Sequence, residues 1–301
     1  MKGIHLSNKP IKASVYKRNL INDDKRLKYN LSIRISNTKH AGQRKLLLGE
    51  IEFIISNYKK LNENNKIILY IGASMGKTSV HIYTLVQLFP EFTYHLYDVY
   101  DFYPKLYECS NVIIHKQYFT NDDMEQYKNK NILLISDMRN IEMEDKSNID
   151  KMNRIVLEDN DIQKDFYEGV NPKAALLKFR LPWNNKKTKY LNGKIYFQAW
   201  QGSTSAETRL VPNKKYKTYD NTKYEEQLFY FNVKTRKKYY KHDYDVYCHC
   251  YDCFTEITIL KKYIKFKKLK ISIYELAEQI SSNLSVYSNN YIFPKNSKYK
   301  I

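Results

Sequence analysis

The sequence has few cysteines, no long apolar run and fewer acids than bases. Its four cysteines, Cys109, Cys248, Cys250 and Cys253, cannot frame a 301-residue chain with disulfides, so a reducing, intracellular setting is expected. No stretch approaches the roughly 18 apolar residues that span a bilayer. The opening MKGIHLSNKPIKASVYKRN lacks an apolar core of the kind a secretory leader carries. No internal repeat is visible. The 32 Asp and Glu are outnumbered by 51 Lys and Arg, giving a formal charge of +19. That surplus favours a polyanionic partner, most simply nucleic acid. The 29 tyrosines set among the lysines suit single-stranded RNA, where bases stack and phosphates pair with cations. Lys, Asn, Ile and Tyr are all abundant, as an AT-rich coding sequence would also produce.

The 43% hydrophobic content is enough for one large domain. Residues 1–40 are polar and weakly periodic and read as a basic arm that packs late or partly on RNA. Residues 41–285 read as the folded domain and 286–301 as a basic tail. Apolar residues at helical spacing predict a helix over Gly42–Lys60. Strand-like runs follow at Ile67–Ile71, Tyr94–Tyr97, Val112–Ile114 and Ile132–Ile135, separated by helical segments at Val80–Phe89, Asp122–Asn129 and Asn148–Tyr167. Further strands are expected at Ala174–Phe179, Lys194–Gln198 and Glu207–Val211. After Asp220 the chain reads as helical over Tyr224–Val233, Tyr244–Tyr263 and Ile273–Leu284. Alternating strands and helices imply an α/β fold, a doubly wound and mostly parallel sheet whose ligand sits beyond the carboxyl ends of the strands.

Gly72-Ala73-Ser74-Met75-Gly76 joins an apolar strand to a helix. Glycines there let the backbone approach a ligand and adopt positive φ. The turn has three residues between its glycines where a phosphate-binding P-loop has four, and it lacks the third glycine of a dinucleotide fingerprint. The next strand ends at Asp98, where an acid can accept both hydroxyls of a ribose. Four further strings carry isolated charges: Lys45 in GQRKLLLGE, Asp137 in LLISDMRN, Lys178 in LLKFRLPW and Glu207 in TSAETRLV. Asp137 and Lys178 directly follow strongly apolar strands, a placement that a solvated lysine or a helix-capping Asp does not explain. A ribose 2′-hydroxyl attacks an activated methyl group only after losing its proton. A lysine becomes a base for that step when burial or a second cation lowers its pKa. Lys45 and Lys178 would supply such a pair, and Asp137 and Glu207 would orient the amines. Arg139, Arg180 and Arg209 lie beside members of this set; each can take phosphates bidentately or serve equally as a surface ion-pair partner.

In these strings, in their order and spacing from about Gln43 to about Asn232, the chain resembles the poxvirus cap-specific mRNA 2′-O-methyltransferases. Members of that family also serve as the small subunit of the viral poly(A) polymerase. The resemblance implies a Rossmann-like methyltransferase fold with helical terminal extensions, S-adenosylmethionine as cofactor, capped mRNA as substrate and a poly(A) polymerase catalytic subunit as partner. It implies a cytoplasmic protein, in a viral factory or virion if viral. By resemblance Lys178 is the base, Asp137 and Lys45 position the reacting groups, and Glu207 holds Lys178. Gln43, Tyr70, Gly72, Ala73, Gly76, Asp98 and Met138 would line the cofactor pocket. Tyr100 stands where the family has an Arg. Trp183 maps to the aromatic that stacks on the methylated guanine, and Glu225 to a carboxylate that reads its edge. The second such carboxylate falls on Asn185 or its neighbour Asn184 and has lost its charge. The family's upstream Tyr has only Tyr29 as a candidate. A non-catalytic RNA-holding subunit and a cap-independent ribose methyltransferase are the alternative functions.

Cys248-His249-Cys250, with Cys253 and His242, resembles a zinc cluster, but its C-x-C-x-x-C spacing is not that of a finger or ribbon. On the helix expected there Cys250 and Cys253 share a face and Cys248 does not, so buried thiols are expected rather than metal.

Overall fold

A computed structural model of the chain describes residues 16–30, 41–138, 148–184, 186–202, 204–236 and 250–285. Strands β1 (Asn19–Leu20), β2 (Ile67–Ile71), β3 (Thr93–Tyr97), β4 (Val112–His115), β5 (Ile132–Ser136), β6 (Ala174–Phe179), β7 (Lys187–Tyr196) and β8 (Thr208–Asp220) form one sheet. Their order is β1-β7-β8-β6-β5-β2-β3-β4. Strands β2 to β6 pair in parallel, and β8, β7 and β1 close the other side antiparallel. The helices are α1 (Gly42–Asn57), α2 (Val80–Leu88), α3 (Asn121–Tyr127), α4 (Ile149–Val170), α5 (Asn221–Tyr230), α6 (Tyr251–Lys267) and α7 (Ile273–Leu284).

The central strands read as unbroken apolar runs because both of their faces are covered. Ile68 and Tyr70 of β2 join one core, with residues of α1, α2, α6 and α7. Leu69 and Ile71 join a second core on the opposite face, with residues of α4 and α5. Alternation along the strand assigns each residue to its layer. The chain leaves β2 toward β3 and β4, then returns to β5 and β6 on the other side. The order in which the chain adds strands therefore reverses between the parallel neighbours β2 and β5, and a crevice opens beyond their carboxyl ends.

Several boundaries differ from the sequence reading. Helix α1 stops at Asn57, whose side chain bonds the carbonyl of Phe53 at 2.8 Å, and a short 3₁₀ turn completes the predicted span. Helix α4 runs past Tyr167 to Val170 and ends on Asn171 in the left-handed region. Strands β7 and β8 are much longer than predicted and form a hairpin rich in lysine and tyrosine. Only Tyr190, Leu191 and Tyr219 among its outer residues are buried, so no apolar run announced it.

Residues 16–30, assigned on sequence to the basic arm, lie against the domain. β1 adds an edge to β7, Arg18 pairs with Glu52 at 2.6 Å, and the Gln227 amide donates to the carbonyls of Ile21, Asn22 and Asp24. Of the predicted helix Tyr244–Tyr263, residues 244–249 lie outside the described residues. Helix α6 begins at Tyr251 with the Cys250 thiol as its cap. Cys250 and Cys253 are both buried, while His242, Cys248 and His249 lie outside the described residues. Among the described residues no group of three His, Cys, Asp or Glu side chains is placed to hold a metal ion. No described helix is long and apolar enough to cross a membrane.

Candidate active site

The four charged residues named from the sequence meet at the carboxyl end of the sheet. Lys45 reaches in from the first turn of α1, Asp137 follows β5, Lys178 closes β6 and Glu207 precedes β8. Neighbouring Arg44 points the other way. It forms a buried pair with Glu256 of α6 and bonds Ser281 of α7 at 2.8 Å, which fixes the angle of α1. Lys45 Nζ lies 2.7 Å from Glu207 Oε1. Lys178 Nζ lies 3.1 Å from Asp137 Oδ1, 3.3 Å from the Asp137 carbonyl and 3.7 Å from Glu207 Oε2. Glu207 is thus nearer to Lys45 than to Lys178, and Asp137 is the closer partner of Lys178. All four side chains retain between 11% and 16% exposure, enough for a substrate to reach them.

Arg209 completes this cluster, and here the sequence reading needs correcting. Of the two roles open to it on sequence, phosphate contact and surface ion pair, the structure shows ion pairing, but buried: it is 4% exposed. Its Nη2 donates to Asp137 Oδ1 at 2.7 Å and lies 3.3 Å from Glu207 Oε1, and its Nε donates to Gln198 Oε1 at 3.2 Å. The sheet register explains the placement. Arg209 stands opposite Lys178 across the β6–β8 pair, so the two side chains share a face. Gln198 was not foreseen either. Its amide donates to both the carbonyl and the carboxylate of Glu207, at 3.2 and 3.3 Å. Glu207 and Arg209 are two residues apart on an extended segment, a period-2 signal that was available from the sequence. Burial works against ionisation of Asp137, but Arg209 and Lys178 outweigh it and hold its carboxyl below the usual range.

Behind the cluster lies Glu50 of α1, which accepts from the Tyr70 hydroxyl at 2.6 Å. Burial pushes the Glu50 carboxyl up to about 8. His81 is buried nearby, and burial lowers its pKa to about 4. Tyr70 is 1% exposed and its phenol is spent on Glu50, so its ring does not line the crevice as the resemblance implied.

The glycine turn sits beside the cluster. Gly72 has φ +73° and its missing side chain is replaced by Met138: an added Cβ would lie 2.5 Å from the Met138 nitrogen. The turn after β2 and the end of β5 are therefore in backbone contact. Gly76 has φ +98° and open space before it. Asp98 accepts from the Ser74 and Tyr100 amides at 2.8 and 3.0 Å, which ties the turn to β3. Burial raises the Asp98 carboxyl, against those backbone bonds. Tyr100 itself is 63% exposed. Ala73 is buried beneath the turn. Gln43 accepts from the Val80 and His81 amides and donates to the Thr78 carbonyl. It caps α2, which has no side-chain cap of its own.

Trp183 lies on the loop after β6, its backbone bonded at both ends to Asn153 of α4. The Arg180 guanidinium stacks on its indole, 4.0 Å from the ring centroid. Glu225 is on α5; burial raises its carboxyl and the Arg180 charge opposes that. Asn184 bonds Asn221 at 2.8 Å. Tyr29 packs on Phe229 with ring centroids 4.9 Å apart. Arg139 and Asn185 lie outside the described residues.

The fold is a doubly wound, Rossmann-like α/β sheet flanked by helices, and its charged cluster occupies the crevice where such sheets bind ligands. The family model of the poly(A) polymerase regulatory subunit matches residues 8–286, and the chain belongs to that family. A search of curated proteins finds no match. Among solved structures the chain is similar to bluetongue virus VP4, whose structure is described as revealing a multifunctional RNA-capping production line. That similarity has 17% identity and a TM-score of 0.47, and covers 71% of this chain and 35% of that one.

Proposed function

We propose that the chain is a cap-specific mRNA 2′-O-methyltransferase using S-adenosylmethionine. The observation that carries this reading is the convergence of Lys45, Asp137, Lys178 and Glu207 beside the glycine turn. The turn suits the donor: Gly76 leaves room for a ligand, Gly72 lets the turn close onto the end of β5, and the half-buried Asp98 carboxylate keeps acceptor capacity for a ribose. Gly72, Ala73, Gly76, Asp98 and Met138 would hold it, with Gln43 shaping the turn through α2. When bound, S-adenosylmethionine supplies a methyl group already activated by its sulfonium.

The chain's own residues then handle the proton. Lys178 Nζ takes it from the ribose 2′-hydroxyl, with Asp137 holding the amine in place. Once Lys178 has taken that proton, three cations, Lys45, Lys178 and Arg209, face two carboxylates, Asp137 and Glu207. The surplus positive charge favours a developing ribose alkoxide in a site largely shielded from water. Trp183 and Glu225 would bind the methylated guanine. Short capped RNA incubated with methyl-labelled donor tests the reading. Label on the 2′-oxygen of the nucleotide beside the cap is expected, and none on uncapped RNA.

Membership in the poly(A) polymerase regulatory subunit family supports a second, compatible role. In it the chain binds a poly(A) polymerase catalytic subunit and holds RNA for it. Coexpression with that subunit, followed by co-purification and a tail-length assay, tests this role separately.

A further inference from the structure

A methylated cap presents a planar cation with donors on its edge, and the proposed receptor offers an indole face and a carboxylate. The indole face is already covered within the chain. Arg180 is itself a planar cation with donors on its edge. Its Cζ lies 4.0 Å from the Trp183 ring centroid, close to the contact of stacked planes, and its charge acts on Glu225. The geometry points to Arg180 as a resident cation in the Trp183 slot, one that a methylated cap has to displace, and so as a residue that sets cap affinity and selectivity. This inference rests on the cap reading given above.

The surrounding structure holds the backbone of the platform fixed. The Arg180 carbonyl accepts from Asn160, and the Trp183 amide and carbonyl bond Asn153, at 2.9, 2.7 and 3.0 Å. Asn153 and Asn160 are two turns apart on one face of α4, so the whole loop is clamped at both ends. Leu181, between them, is 1% exposed. Exchange of cap for guanidinium therefore requires side-chain rotation and no refolding of the loop. One cation–π contact is lost as another is gained, so stacking adds little net affinity. A guanidinium that stays close after leaving the ring repels a methylated guanine more than an unmethylated one. Arg180 thus weakens cap binding overall and narrows the preference for the methylated form.

Arg180→Gln removes the charge and keeps a shorter, planar polar head. Binding of methylated and unmethylated cap dinucleotides is followed by tryptophan fluorescence, where the only other tryptophan, Trp200, is fully buried. The expected result is methylated-cap affinity raised by about two- to fivefold, the range one exposed cation–π contact represents, with a wider ratio between the two caps. Arg180→Lys, which keeps the charge but not the plane, should fall between. Wild-type binding that Arg180→Gln leaves unchanged or weakens would overturn the resident-cation role while leaving the cap reading intact. If neither protein binds either cap, with thermal unfolding showing both folded, the cap reading fails and this inference with it.

Discussion

Replacing Arg209 separates two roles that the sequence alone leaves open, phosphate contact and internal bridge. In Arg209→Met the guanidinium contacts to Asp137, Glu207 and Gln198 disappear together. Leaving a buried charge wholly unpaired costs about 3–5 kcal/mol. Here the loss is smaller, because Lys178 still faces Asp137 at 3.1 Å and Lys45 still faces Glu207 at 2.7 Å. Charged hydrogen bonds contribute about 1.5–3 kcal/mol each. With the tight Asp137 bond dominant, a net loss of about 2–4 kcal/mol is expected. At roughly 2 °C per kcal/mol for a chain of this size, thermal unfolding should fall by about 4–8 °C. RNA affinity measured across salt concentrations supplies the second readout. A lost phosphate contact on a single strand lowers the log–log salt slope by about 0.7. The internal bridge predicts a lower unfolding temperature with an unchanged slope. A slope reduced by one contact, with unfolding shifted by less than about 1 °C, would refute the reasoning.

Three further outcomes follow from the same geometry. Lys178→Ala should abolish methyl transfer while leaving donor and RNA binding near wild type, and Lys178→Arg should fail as well, because its guanidinium stays protonated; residual rates within tenfold of wild type would remove Lys178 as the base. Asp98→Ala should weaken S-adenosylmethionine binding by about 1.5–3 kcal/mol in calorimetry, and unchanged affinity would place the donor elsewhere. Glu50, raised in the fold to about 8 from an ordinary value of 4.5, contributes stability that is fully present below pH 4.5 and lost as pH rises through 8. Between pH 7 and 8 His81 stays neutral, so the wild-type unfolding temperature should decline there and level off above about pH 8 while Glu50→Gln stays flat throughout, and equal slopes in the two proteins would contradict the assignment.

The central strands and the turn were legible because a parallel sheet buried on both faces leaves long apolar runs, and β2 and β6 match the predicted spans. The lysine-rich outer hairpin of β7 and β8 was not, since cross-strand pairing rather than apolar content holds it. Asp137 and Lys178 stand out because each follows an apolar strand, whereas Lys45 and Glu207 are marked only by the resemblance of their strings to the poxvirus family; the structure brings the four together. Which carboxylate faces which lysine depends on how α1 seats on the face of the central strands, where the buried Arg44–Glu256 pair ties it to α6, a tertiary fact. The Arg180–Trp183 stack depends on rotamers of two residues three apart in an irregular loop, where no periodicity speaks.

The central claim is methyl transfer to a ribose beside a cap, and one measurement addresses it directly. Capped and uncapped RNAs of one sequence are incubated with the purified chain and methyl-labelled S-adenosylmethionine, digested to nucleosides and resolved by mass spectrometry. The account predicts a 2′-O-methylated nucleoside from the capped RNA, absent with Lys178→Ala. No label on either RNA from a folded protein, or label on a base rather than a ribose, would contradict it.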